Sequence, residues 1–338
     1  MRLFQLIYSL VIICSIADLA YPAESAKRPN FVFVVSEDNS IHYLSLYGNK
    51  LGITPNIEQL ADNGLTFNHA FSCAPVCSVA RTTLATAMHA PRLGFQYHRK
   101  SALATLPSGV KPWSQVLREN GYYTSNNSKT DYNFKVDRKD AWDMSSNKAT
   151  WRKRPNKAMP FFHMQSFAES HESRLHFPIK KMETPTKTSP DDVVLQPYFP
   201  DTPIMRYTKA QYYDQMRLID NHVGRIIKQL KEDNLLEDTF VFYFGDHGGV
   251  MPRSKGYAYE SGLHIPLVVR IPENFKHLID HKRGTRTDGF VSFIDFGPTV
   301  LNLASIVPHK ELDGQAFFGK DISATDLAKR DEVFGHAD

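Results

Sequence analysis

"NFVFVVSEDNS", Asn30–Ser40, decides the fold: five consecutive apolar residues, Phe31–Val35, run straight into Glu37 and Asp38. A short, β-branched and aromatic run with no polar alternation is a strand buried on both faces, the kind that a parallel sheet requires. A second run of the same kind, "DTFVFYFGDHGG" (238–249), ends in Asp246 and His247. Around these strands stand helical segments. "TPNIEQLADNG" (54–64) has Thr54 as N-cap, Pro55 in its first turn and Gly64 at its end, and "WSQVLRENG" (113–121) closes at Gly121. Between Tyr207 and Leu236, apolar residues at 212, 216, 219, 223, 226 and 230 follow a spacing of four and three, which predicts one long amphipathic helix. Strands alternating with helices imply an α/β fold with a mostly parallel sheet.

Bulk properties narrow the class. With 42% hydrophobic residues in 338, the chain can bury a sizeable core, and 40 basic against 36 acidic residues leave no basic block of the sort that binds nucleic acid. Residues 1–25 have Arg2, an apolar run from Leu3 to Ala17 and the small residues Ala23 and Ser25, the pattern of a secretory signal peptide, so residues 26–338 are expected to form one domain that is secreted or periplasmic. No later segment is apolar enough to span a membrane, so no membrane partner is expected after cleavage. Residues 172–206, proline-rich and without period, read as a long functional loop.

The chemistry concentrates where strands end. Glu37, Asp38, Asp246 and His247 leave two buried strands at their carboxyl ends, the edge at which open parallel sheets bind ligands. Three carboxylates and an imidazole gathered there would repel one another without a cation, and hard oxygen donors favour calcium, with magnesium as the alternative. "FSCAPVCSVARTTL" (71–84) places Cys73 and Cys77 four apart. A disulfide, a metal site or a modified nucleophile would each use cysteine here. Helix geometry seldom brings sulfurs at i and i+4 to bonding distance. A helix starting near Cys77 would set that residue at its positive end with Arg81 one turn on, a place suited to an anion.

"CSVAR" (77–81) resembles the C-x-P/A-x-R pattern of the type I, formylglycine-dependent sulfatases of the alkaline-phosphatase-like superfamily. Other segments resemble that family in the same order: "RPNFVFVVSEDN" (28–39), "SKTDYN" (128–133), "SHESR" (170–174), "GDHGG" (245–249), "RSKGYAYESGLHIP" (253–266) and "FVSFIDFGPTVLNLA" (290–304). The resemblance implies the alkaline-phosphatase-like α/β fold, a large, mostly parallel sheet sandwiched by helices, and it implies that a formylglycine-generating enzyme oxidises Cys77 and that the hydrated aldehyde attacks sulfur. It further implies that Glu37, Asp38, Asp246 and His247, with the oxygen at position 77, hold a divalent metal. Arg81, Lys129 and Lys255 would neutralise the sulfuryl group, and His171 with Lys255 would serve the departing alcohol. Asp131 stands where the family has a histidine, and its carboxylate is expected to accept the proton in sulfate release. The resemblance further implies a smaller C-terminal subdomain, relative to which this sequence is expected to be truncated. The implied substrate is a sulfate ester, small or polymeric, of a carbohydrate. Alternatives are a phosphoester or phosphonate hydrolase on the same scaffold, and an inactive relative that holds sulfated glycans.

Overall fold

The computed structural model describes residues 27–99 and 103–337; the leader read at residues 1–25 lies outside them. Among the described residues nine strands form one sheet: β1 (Asn30–Ser36), β2 (Gly64–Phe71), β3 (Tyr123–Asn127), β4 (Met144–Ser145), β5 (Phe161–Phe167), β6 (Thr239–Gly245), β7 (His264–Arg270), β8 (Thr285–Thr287) and β9 (Val291–Ser292). Their order is β4-β3-β5-β1-β6-β7-β2-β8, with β9 also paired to β2. Both fold-deciding runs sit at the centre. β1 pairs in parallel with β5 and β6, Phe33 lying opposite Met164 on one side and Phe242 on the other. Every pairing is parallel except those of β7, which runs against both β6 and β2. The mostly parallel sheet expected from the alternating pattern is therefore present with one reversed strand. The apolar run of β7 carries no mark of direction, so its sequence did not show the reversal.

The numbered helices are those of seven residues or more. They are α1 (Pro55–Asp62), α2 (Cys77–Thr86), α3 (Trp113–Glu119), α4 (Pro203–Glu232) and α5 (Phe293–Leu303). Because side chains alternate across a strand, Phe31, Phe33 and Val35 of β1 face the layer holding α2, α3 and α5, while Val32 and Val34 face the layer holding α1 and α4. The six apolar positions of α4 read from the sequence are all buried. This helix begins four residues earlier than its apolar spacing suggested, because the Thr202 side chain accepts from the Met205 amide and Pro203 fills the first turn. The preceding connection is shorter by that turn and contains three 3₁₀ segments, Glu172–Arg174, Ile179–Glu183 and Pro190–Asp192. Among the described residues no helix is long and apolar enough to cross a membrane.

Phe33 is the centre of the larger core, with ring centroids 4.8–5.5 Å from Phe242, Phe162, Phe244 and Trp113. Phe33→Ala would leave a void among rings that cannot close in from two strands and a helix. The expected cost is about 3–5 kcal/mol, read from urea unfolding. A loss under about 1 kcal/mol would mean that this side of the sheet repacks freely.

Candidate active site

The carboxyl ends of β1, β5 and β6 meet at one edge, and α2 points its first residue at them. Asp38 follows β1 with φ at 52°, a left-handed turn secured from both sides. Its amide donates to Asp246 Oδ1 at 2.9 Å, and its carbonyl accepts from the Tyr212 hydroxyl of α4. The Asp246 amide in turn donates to the Ser36 carbonyl at 3.0 Å. After His247 the chain doubles back, with the Gly248 and Gly249 amides bonded to Gly262 and Ser261 carbonyls. A Cβ on Gly248 would run into the Ser261 carbonyl, which is why "GDHGG" needs its first glycine after the histidine.

Cys77 opens α2, and its N-cap, Val76, offers no side-chain oxygen to the first-turn amides. Its Sγ lies 3.3 Å from His247 Nε2 and 3.9 Å from Asp38 Oδ1. Burial and the Asp246 charge push this thiol up, but hydrogen bonds from His171 and His247 outweigh them and hold it at about 7. Cys73 is different: burial raises its thiol to about 11 and it packs by Ser292 at the start of α5. Both cysteines are free, so the disulfide reading does not hold. The sulfurs point to different elements.

Each acid has a basic partner. Arg81 Nε donates to Asp246 Oδ2 at 3.1 Å, Lys129 Nζ to Glu37 Oε2 at 2.6 Å, and Lys255 Nζ to Asp38 Oδ2 at 2.9 Å. The repulsion argument for a metal thus needs correcting, since three bases brought from distant segments neutralise the three carboxylates. What fits a metal is the donor set itself. Asp38, Cys77, Asp246 and His247 are buried and offer ligand atoms all within 4.8 Å of one another. His247 Nδ1 donates to the Gly248 carbonyl at 3.0 Å, leaving Nε2 turned into the cluster, 2.9 Å from Asp38 Oδ1. Glu37 stands beside this group, held by Lys129, with its Oε1 4.0 Å from Arg81.

His171 completes the rim. Its Nε2 is 3.4 Å from Lys255 Nζ and 3.9 Å from Glu37 Oε2. The hydrogen bond with Cys77 raises its pKa against the opposing effect of burial, with the carboxylates of Asp38 and Glu37 adding to the rise. Asp131 is bound by Arg99 at 3.1 and 3.2 Å and lies outside the four-donor cluster. Three further residues lacked any sequence signal. Ser166, near the end of β5, accepts from Arg81 Nη1 at 2.9 Å. His98 Nδ1 lies 3.0 Å from Ser78 Oγ, and Arg99 faces Asp131. Only the ends of buried strands could have been searched for Ser166. His98 and Arg99 reach the site by tertiary folding alone.

A family model described as Sulfatase matches residues 29–306. An ulvan-active sulfatase of Formosa agariphila is 33% identical over 336 residues, covering 87% of this chain and 55% of that protein. Human N-sulphoglucosamine sulphohydrolase is 25% identical over 82% of this chain and 61% of its own length. The chain therefore spans little more than half the length of these curated relatives. Among solved structures, a phosphonate monoester hydrolase of Agrobacterium radiobacter superposes with a TM-score of 0.70 at 18% identity, covering 91% of this chain and 79% of that one. At that identity the likeness speaks for the fold.

Proposed function

The chain belongs to the sulfatase family, and on that premise we propose that residues 26–338 are the catalytic domain of a secreted enzyme that hydrolyses sulfate esters of carbohydrates. The observation that carries this reading is Cys77 at the head of α2, 3.3 Å from His247 and buried among three acid–base pairs, with Arg81 one turn on. The names of two relatives, one ulvan-active and one acting on a sulphated glucosamine, support the carbohydrate class.

In this reading Cys77 is oxidised to formylglycine by a generating enzyme, and Asp38, Asp246, His247 and, by a change of rotamer, Glu37 hold a calcium or magnesium ion. The hydrated aldehyde supplies an oxygen nucleophile that can afterwards eliminate sulfate, and the ion supplies positive charge beside it. The protein's own groups do the rest. Arg81 and Lys129 place fixed positive charge against the sulfuryl oxygens, in a site with little water to screen it. Lys255 bridges the sulfate position and the leaving oxygen, beside His171. His171, 3.4 Å from Lys255 and 3.9 Å from Glu37, is the proposed donor of a proton to the departing alcohol. Asp131, fixed by Arg99, is the proposed acceptor for the proton lost in sulfate release.

Two measurements test the proposal together. Purified protein should release 4-nitrophenol from the aryl sulfate far faster than from the aryl phosphate. The mass of the Cys77 peptide should show aldehyde in place of thiol. Faster phosphate release would favour the phosphoester hydrolase, and an intact thiol in an active preparation would reject the modified nucleophile.

A further inference from the structure

The loop that carries Lys255 also carries an exposed stack of planar groups with no part in the chemistry above. Arg253 Cζ lies 4.7 Å from the ring centroid of Tyr198 and 4.5 Å from that of Tyr259. Tyr259 in turn stacks on Tyr257 at 6.1 Å and 17°. The three tyrosines are 47%, 47% and 55% exposed, unusual for rings gathered in one place on a surface. Among the described residues the Arg253 guanidinium has no carboxylate within ion-pair distance, whereas Arg99 is paired with Asp131.

We propose that Tyr198, Arg253, Tyr259 and Tyr257 form a glycan-binding platform beside the catalytic lysine, taking the next sugar of an anionic oligosaccharide with that sugar's own sulfate or carboxylate on Arg253. This rests on the sulfatase reading and extends it, because the substrate is then a chain rather than a single sulfated sugar. A pyranose has an apolar C–H face that an aromatic ring covers, and a tyrosine ring does so at low entropic cost. A guanidinium stacked between rings keeps its N–H edges free for two-point contact with a sulfate or carboxylate, and the stacking fixes its orientation beforehand.

Distance and rigidity both favour the assignment. Consecutive Cα atoms are about 3.8 Å apart, so Arg253 and Tyr257, two residues either side of Lys255, have Cα atoms within about 7.6 Å of it. Apart from Tyr198, the platform is thus built on the same short loop as Lys255, whose ammonium reaches Asp38 at 2.9 Å. The Gly256 amide bonds to the Pro75 carbonyl at 2.9 Å, which ties the loop to the segment before Cys77. Ser261 Oγ donates to the Arg253 carbonyl at 2.7 Å and holds that residue at φ 65°, a conformation that costs a non-glycine about 1–2 kcal/mol. On the other side, the Lys209 ammonium donates to the Val194 carbonyl at 2.6 Å and to Gln196 Oε1 at 2.9 Å, steadying the stretch that presents Tyr198.

The test is calorimetric binding to Cys77→Ala protein, which cannot turn the ligand over, with a carrageenan hexasaccharide, a heparin hexasaccharide and glucosamine 6-sulfate as probes. At least one hexasaccharide should bind about tenfold or more tightly than the monosaccharide, and adding Arg253→Ala or Tyr259→Ala should remove about tenfold for that hexasaccharide alone. Arg253→Lys should recover only part, since an ammonium stacks but does not fork. Tyr257→Ser, at the outer end of the stack, gives the same readout with the least disturbance to folding. Hexasaccharides that bind no better than the monosaccharide, or losses equal on both, would overturn the platform. Turnover of 4-nitrophenyl sulfate by the unsubstituted enzyme decides the sulfatase reading separately.

Discussion

Cys77→Ala is expected to lower kcat/KM for 4-nitrophenyl sulfate by about 10⁴-fold or more, because no neighbouring group can replace it as the source of the nucleophile. Ser78 is the nearest hydroxyl in sequence. Its oxygen is occupied by His98 Nδ1 at 3.0 Å and by the Arg99 amide at 2.9 Å. Cys73 is buried by Ser292 with its thiol held protonated to about 11. The fold should hardly notice the change, with a loss of about 1 kcal/mol in urea unfolding, since a single buried sulfur is removed at the end of a helix. Activity within about tenfold of the parent would remove Cys77 from the chemistry and with it the proposed reaction.

Asp246→Ala should cost both activity and stability. It removes a proposed metal donor, the acceptor for the Asp38 amide and the counter-charge of Arg81, a residue only 1% exposed. An arginine left buried with a serine hydroxyl and only the Glu37 carboxylate, 4.0 Å away and already paired with Lys129, is a poorly compensated charge, and the expected destabilisation is about 3–5 kcal/mol. Adding Arg81→Met should return most of that stability and none of the activity, which falls by about 10³-fold or more in both proteins. In the parent enzyme, chelation should abolish sulfate release and calcium or magnesium should restore it, whereas neither ion should rescue Asp246→Ala. Full turnover in chelator would dismiss the metal. An undiminished unfolding free energy in Asp246→Ala would show that Arg81 finds another partner.

Much of this was written locally in the sequence. Buried strands announce themselves by unbroken apolar runs, so β1 and β6 and the acids at their ends were legible, as were the face of α4 and the start of α2. Partnership across the sheet was not. Lys255 meets Asp38 across 217 residues, and nothing in "RSKGYAYE" marks its lysine as the counter-ion of an acid after β1. The expectation of mutual repulsion among Glu37, Asp38 and Asp246 failed for the same reason, since it counted the acids that strand ends reveal and missed the bases that folding delivers. The start of α4 was misread although Thr202 and Pro203 signal it, because its first turn is largely exposed and escapes an apolar spacing rule. His98 lies beside α2 through a turn that no periodicity describes.

The reversed direction of β7 makes the segment before it an exchangeable cassette. A parallel crossover must travel the length of the sheet before the next strand can begin, so its size is bound to the architecture. Residues 246–263 instead leave and rejoin adjacent strands at one edge, and the Gly248–Gly262 and Gly249–Ser261 bonds close a neck at their base. Whatever hangs between 250 and 260 can change length without altering strand order, and each doubling adds only about 0.6 kcal/mol of closure entropy. With Lys255 kept in register, grafting this span from a relative would change the surface around that lysine while β1, β6 and the acids at their ends stay in place, a division of labour suited to directed evolution.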